Sequence, residues 1–140
     1  MNSSQKANEL LLALSRYLHQ PIIQLGDDSQ AAVTIGRYKF VFSFSESQHY
    51  LLSRVAITVL PHGAKRKTLL TQLLANNYSS AGTMGGILGL EKASGLVWLT
   101  YRFPLESEKP ESFLKTMAIQ TGLAEYWLKT ITGYSAPTTA

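Results

Sequence analysis

Residues 38–44 read Tyr38-Lys39-Phe40-Val41-Phe42-Ser43-Phe44. Every second side chain is aromatic, and the residues between are Lys, Val and Ser. A period of two puts alternate side chains on opposite faces of an extended backbone, so this stretch predicts a strand with one aromatic, core-facing side. The same period runs upstream, where Ala31, Val33 and Ile35 alternate with Ala32 and Thr34. Gly36-Arg37 is a tight turn between the two. Downstream, Ser45 to Gln48 turns the chain again, and residues 50–60, rich in Leu, Val and Ile, predict a third strand that Pro61-His62-Gly63 stops. Connections this short join antiparallel neighbours, so the centre of the chain is a meander.

Helical periodicity brackets this meander. Leu10, Leu11, Leu14 and Leu18 predict a helix over about residues 4–19, capped by Ser3 or Ser4 and ended at Pro21. Gly26-Asp27-Asp28-Ser29 is the turn into the first strand. Leu69, Leu70, Leu73 and Leu74 predict a second helix over 64–78, closing at Asn76-Asn77. Ile87, Leu88 and Leu90 then suggest a short strand, and Glu91 to Gly95 a hairpin loop. Leu96, Trp98, Thr100 and Arg102 alternate with Val97, Leu99, Tyr101 and Phe103 in a last strand that Pro104 helps to end. Pro110, with Glu108 and Glu111 beside it, opens a third helix that runs to about residue 132. The order α-β-β-β-α-β-β-α is an α+β plan, with helices packed on an antiparallel sheet. Residues 1–132 read as one domain, and 133–140, "GYSAPTTA", as a flexible C-terminal tail.

The 140 residues are 45% hydrophobic and 16% charged, a globular composition. The absence of cysteine excludes disulfides and thiolate metal sites. The longest early apolar run, Leu10 to Leu14, is flanked by Glu9 and Arg16 and is too short to span a bilayer, so no membrane insertion is expected. The net charge is +4, and residues 1–80 hold eight Lys/Arg against four Asp/Glu. Lys65, Arg66 and Lys67 sit together where a helix begins. There the macrodipole disfavours each cation by roughly 0.3–1 kcal/mol at most. The trio is thus a candidate contact for an acidic partner, with a solvated basic patch as the plain alternative.

Motifs for chemistry are missing. Gly82, Gly85, Gly86 and Gly89 are spaced G-x-x-G-G-x-x-G, which matches neither the Walker loop nor the dinucleotide fingerprint. They also lead from a helix into a strand, the reverse of a phosphate loop. His19, His49 and His62 are dispersed without metal-ligand spacing. Ser112-Phe113-Leu114-Lys115 matches S-x-x-K without its companion motifs. No catalytic residue, cofactor site or metal site is predicted, and the chain reads as a binding protein, not an enzyme. Arg37-Tyr38-Lys39-Phe40 keeps an alternative open: a basic nucleic-acid-binding α+β module that stacks bases on strand aromatics.

Several stretches together resemble a known family. "LLTQLLANN" (69–77), "GGILGLE" (85–91), "GLVWLTYRFPLE" (95–106) and a Trp-bearing last helix, in this element order, resemble the class I type III secretion chaperones, in particular the Tir-chaperone (CesT-like) branch. The likeness covers about residues 8–131. It implies a homodimer in the bacterial cytoplasm that binds the N-terminal region of one or more effector proteins in extended form. Such binding keeps effectors soluble and export-competent, and presents them to the export ATPase without a nucleotide on the chaperone. By position, the resemblance places the dimer interface on Leu70, Leu73, Leu74 and Tyr78, with Ile87 and Leu88 close by. It places effector binding on Leu14, Leu18, Ile22, Ile23, Val33 and Ile35. The family is usually acidic, whereas this chain has a sequence pI near 9.4. The departure implies acidic cargo, or a contact between Lys65-Arg66-Lys67 and an acidic face of the export machinery.

Overall fold

Helix α1 spans Ser3–Leu18 in the computed structural model, which describes residues 2–133. Its cap is Asn2, one residue before the serines. The Asn2 side chain accepts from the Gln5 amide and the Gln5 side chain accepts from the Asn2 amide, both at 2.9 Å. This reciprocal box satisfies two of the amides that a helix start leaves orphaned. Ser3 and Ser4 already lie within the first turn, so neither has the extended backbone a cap needs. His19 ends the helix in the left-handed conformation. Residues 20–25 then fold back along α1, pinned by two of its side chains. The buried Ser15 hydroxyl accepts from the Ile23 amide at 2.7 Å, and Asn8 Oδ1 accepts from the Leu25 amide at 2.8 Å.

The strands follow the predicted alternation: β1 is Gln30–Ile35, β2 Tyr38–Ser45 and β3 Tyr50–Val59. Helix α2, Arg66–Ser79, carries the chain to the far side, where β4 (Ile87–Leu90) and β5 (Leu96–Pro104) return it to β3. Helix α3 is Pro110–Thr132. The five strands run β1-β2-β3-β5-β4 with every neighbouring pair antiparallel. The architecture is the α+β plan expected. Residues 134–140 of the expected tail lie outside the described residues.

One face of the sheet holds the core. Phe40 stands between Val33 and Val55, and Leu51 pairs with Phe103. Above them lie α1, through Leu10, Leu11 and Leu14, and α3, through Phe113, Met117, Ala124 and Trp127. Phe113 meets Phe103 edge to face, with ring centroids 4.8 Å apart. A single polar residue stitches α3 to the sheet. Gln120 is fully buried; its Nε2 donates to the Ser53 and Leu99 carbonyls at 2.9 and 3.0 Å, and its Oε1 accepts from the Ser53 hydroxyl at 2.7 Å. A buried amide is tolerated because its donors and acceptor are all used.

The glycine-rich stretch is a tied-down connector. The Met84 and Gly86 amides bond the Ser80 and Thr83 carbonyls within the turn. The Gly82 carbonyl accepts from Trp127 Nε1 at 2.8 Å, and the Thr83 carbonyl accepts from the Tyr101 hydroxyl. Two amides are thus engaged within the turn, and two carbonyls are directed to the buried rings of Trp127 and Tyr101. Gly85 has φ +96°, and a side-chain carbon at Gly86 would lie 2.6 Å from the Tyr101 ring. One glycine supplies backbone freedom and the next supplies close approach.

Candidate functional site

The first surface is an apolar groove of about 410 Å³ between the C-terminal half of α1, the β1–β2 hairpin and the middle of α3. Leu14, Leu18 and Ile35, all predicted for effector binding, line it together with Tyr38. Leu14 is only 1% exposed, so it forms floor, not wall. The rim is polar. Glu125 accepts from Arg37 Nη2 at 3.0 Å through both oxygens, from the Tyr38 hydroxyl, and faces Lys129 Nζ at 3.6 Å. The Tyr38 bond, then Arg37, holds the Glu125 carboxyl below its ordinary pKa. Burial, then the bond to Glu125, pushes the Tyr38 hydroxyl up.

A depressed carboxyl stabilises the fold above its unfolded pKa and loses that contribution as pH falls through the folded value. Glu125→Gln should therefore lower the urea midpoint at pH 7, and the gap to wild type should close as pH drops below the ordinary carboxylate range. Urea titrations between pH 2 and 8 check this. A gap that persists at pH 2 would mean the carboxylate charge is not what holds the hairpin to α3.

The second surface is a groove of about 300 Å³ between residues 20–24 and β1, lined by Ile22, Ile23 and Val33. Ile22 is exposed, while Ile23 and Val33 are buried. Here the sheet has an open edge. The outward carbonyls of Gln30 and Thr34 accept from the Gly26 amide and from Gln20 Nε2, at 2.8 and 3.2 Å. Ala32 lies between them and shares their outward direction by strand alternation. Among the described residues, no bond from outside the β1–β2 ladder reaches it. The opposite edge is capped at Leu88: Asn77 accepts from the Leu88 amide at 2.8 Å and donates to the Leu88 carbonyl at 2.7 Å, as a neighbouring strand would.

The third surface lies along α2 and β4. Leu74, Tyr78 and Ile87 are strongly exposed, Tyr78 at 95%. Leu70 is half-buried, and Leu73 and Leu88 are buried within the chain. Met84 and Leu90 are also exposed here; Met84, an isolated apolar residue before Gly85, carried no periodic signal, and Leu90 was read only as part of the strand.

The basic residues divide. Arg66 Nη1 donates to the Leu60 and Pro61 carbonyls at 3.1 and 3.3 Å, fastening α2 to the end of β3. This narrows the reading of the trio as a partner contact: one guanidinium reaches backward to carbonyls just beyond the end of β3. Lys65 and Lys67 are exposed and, among the described residues, make no ion pair. On the sheet face turned away from α1 and α3, Arg54 lies over the Trp98 ring and Arg102 over Tyr50, 5.5 and 5.1 Å from the centroids. Phe40 and Phe42 are fully buried, so the aromatic run at 38–44 is core and cannot stack bases. Among the described residues, no three His, Asp or Glu side chains are grouped to hold a metal ion, and no helix is long and apolar enough to cross a membrane.

Known proteins share this architecture. The chain superposes on a chain of the ExsC-ExsE complex with TM-score 0.79 at 17% identity, covering 96% of this chain and 100% of that one. It matches the HopA1-SchA chaperone-effector complex with TM-score 0.68 at 19% identity, covering 92% and 94%. It also matches the Yersinia pestis type III secretion chaperone SycH, in complex with a fragment of YscM2, with TM-score 0.66 at 15% identity, covering 85% and 97%. At these identities the likeness establishes the fold. No curated protein sequence matches the chain. The family model described as Tir chaperone protein (CesT) matches residues 9–128, which includes α1 from Glu9, the whole sheet and most of α3. The chain belongs to the Tir chaperone protein (CesT) family.

Proposed function

We propose that this chain is a type III secretion chaperone of the bacterial cytoplasm, acting as a homodimer that holds the N-terminal region of one or more effector proteins in extended form. The family match across residues 9–128 carries this reading. The surfaces support it physically. The two grooves beside α1 supply apolar seats, and the open edge at Ala32 offers backbone groups to an added strand. Leu14, Leu18 and Ile35 belong to the first seat, and Ile22, Ile23 and Val33 to the second. The dimer is proposed along α2 and β4, with Leu70, Leu74, Tyr78 and Ile87 in contact and Leu73 and Leu88 supporting them from beneath. The proposed chaperone domain is residues 1–132.

Binding is stoichiometric and uses no cofactor or catalytic step. Apolar burial drives it, offset by the ordering of the cargo segment. Lys65 and Lys67 are the proposed contact for an acidic partner, such as the export ATPase to which cargo is presented.

The test is co-purification from bacteria with an intact type III system, with bound chains identified by mass spectrometry. A secreted effector should be recovered with the chaperone and should remain bound in 0.5 M salt. The alternative nucleic-acid module predicts binding that collapses as salt rises, because counterion release dominates it. Recovery of nucleic acid without an effector would overturn the chaperone reading.

A further inference from the structure

Gly122 sits in the interior of α3, and nothing in the fold explains it. Its φ is not in the left-handed region, and a side-chain carbon added there would find no atom within 4 Å. Glycine is the poorest helix former after proline, so alanine at this position should only stabilise the helix. What glycine preserves is empty space. Gly122 lies in the groove between α1 and α3, one turn beyond Ala118, and these two are the smallest of the residues that α3 contributes to it, beside Leu114, Met117, Thr121 and Glu125. Leu14, Leu18 and Ile35 face it from the other elements. The rim has a direction in charge. Arg37 and Lys129 flank the single carboxylate of Glu125, and both Arg37 bonds to it come from Nη2. One positive charge is left over, together with guanidinium donors that make no other bond among the described residues.

We infer that Gly122 is a specificity-determining notch, which seats one bulky apolar side chain of the bound segment and places an acidic residue of that segment against Arg37. This rests on the chaperone reading and specifies its cargo: an extended segment in which a Leu- or Phe-sized anchor is followed closely by Asp or Glu. Any side chain at residue 122 fills the notch. A cationic neighbour in place of the acid meets the surplus positive charge.

The experiment uses the full chain, 15N-labelled, and two synthetic ten-residue peptides. One carries Leu and Phe two positions apart followed by Asp; in the other, Lys replaces the Asp. With the acidic peptide, the Ala118 and Gly122 amide signals should move first, and the Lys peptide should bind at least about tenfold more weakly at low salt. Gly122→Ala should raise Tm by roughly 3–5 °C yet weaken the acidic peptide about tenfold, and Gly122→Leu should abolish its binding. A structural glycine would give the opposite pairing, with lost stability and unchanged affinity. Unchanged affinity in Gly122→Ala overturns the notch. So does failure of the acidic peptide to bind at millimolar concentration, or a change in oligomeric state in Gly122→Leu, which would make this face a self-interface. Each of these leaves the chaperone reading standing, because effector recovery in the co-purification is independent of the peptides.

Discussion

Trp127→Ala should destabilise the chain by roughly 3–5 kcal/mol, the loss expected when a large buried aromatic is truncated. Trp127 is 2% exposed, meets the Tyr126 ring edge to face, and donates from Nε1 to the Gly82 carbonyl. It therefore joins three things: the last helix, the core, and the connector between α2 and β4. Removing it opens a cavity and leaves the Gly82 carbonyl without its donor. Trp127→Phe separates these effects. It keeps most of the apolar volume and loses the hydrogen bond, so about 1–3 kcal/mol should remain of the loss. Urea unfolding at one fixed protein concentration measures both, with the m-value checked for constancy. If the two variants were equally destabilised, packing would contribute nothing and the connector bond everything. If Trp127→Ala lost less than about 1 kcal/mol, the ring would not be the keystone that its burial implies.

The double variant Leu74→Asp/Ile87→Asp should convert the proposed dimer to a monomer that stays folded. Both side chains are exposed in the single chain, at 69% and 59%, so neither supports the monomer's core. Surface substitutions of this kind usually change stability by about 0.5 kcal/mol or less. In a two-fold dimer each residue occurs twice. At about 1.5–3 kcal/mol per fully buried aliphatic side chain, four such losses remove roughly 6–12 kcal/mol before any charge is desolvated. That is comparable to the roughly 8 kcal/mol that holds a dimer of micromolar affinity. Light scattering at micromolar concentration should show the wild type at twice the chain mass and the variant at the chain mass, with unchanged circular dichroism. Leu73→Ala is the contrasting case: Leu73 is buried in the monomer, so it should lower Tm whatever the oligomeric state. A double variant that remains dimeric would move the interface away from α2 and β4.

The strands were legible because period two leaves little room for another reading. Tyr38, Phe40 and Phe42 did face one way, and Val33 joined them. The helices were legible from leucine spacing, and the element order made the family resemblance visible. What escaped were bonds between residues distant in sequence. Asn77 looked like a helix terminator, yet its side chain closes a strand edge 11 residues later. Arg66 looked like surplus charge, yet it holds carbonyls of Leu60 and Pro61. Periodicity also cannot divide the apolar residues of one helix between core and surface once two partners compete for them. Leu73 and Leu74 are adjacent in the same stripe, and only the first turns inward. Gly122 gave no sequence signal at all, because its meaning lies in the space left above it.

The side chain of Asn77 also makes the two edges of this sheet unequal. A sheet with two bare edges is open to endless growth, each copy templating the next. Here β4 is sealed at its middle from within, so the β1 edge of another copy finds no matching partner there. A strand proposed to join at Ala32 would lengthen the sheet from the β1 side. The two edges are therefore unequal at the backbone: a helix side chain occupies Leu88 on one, and Ala32 stays bare on the other.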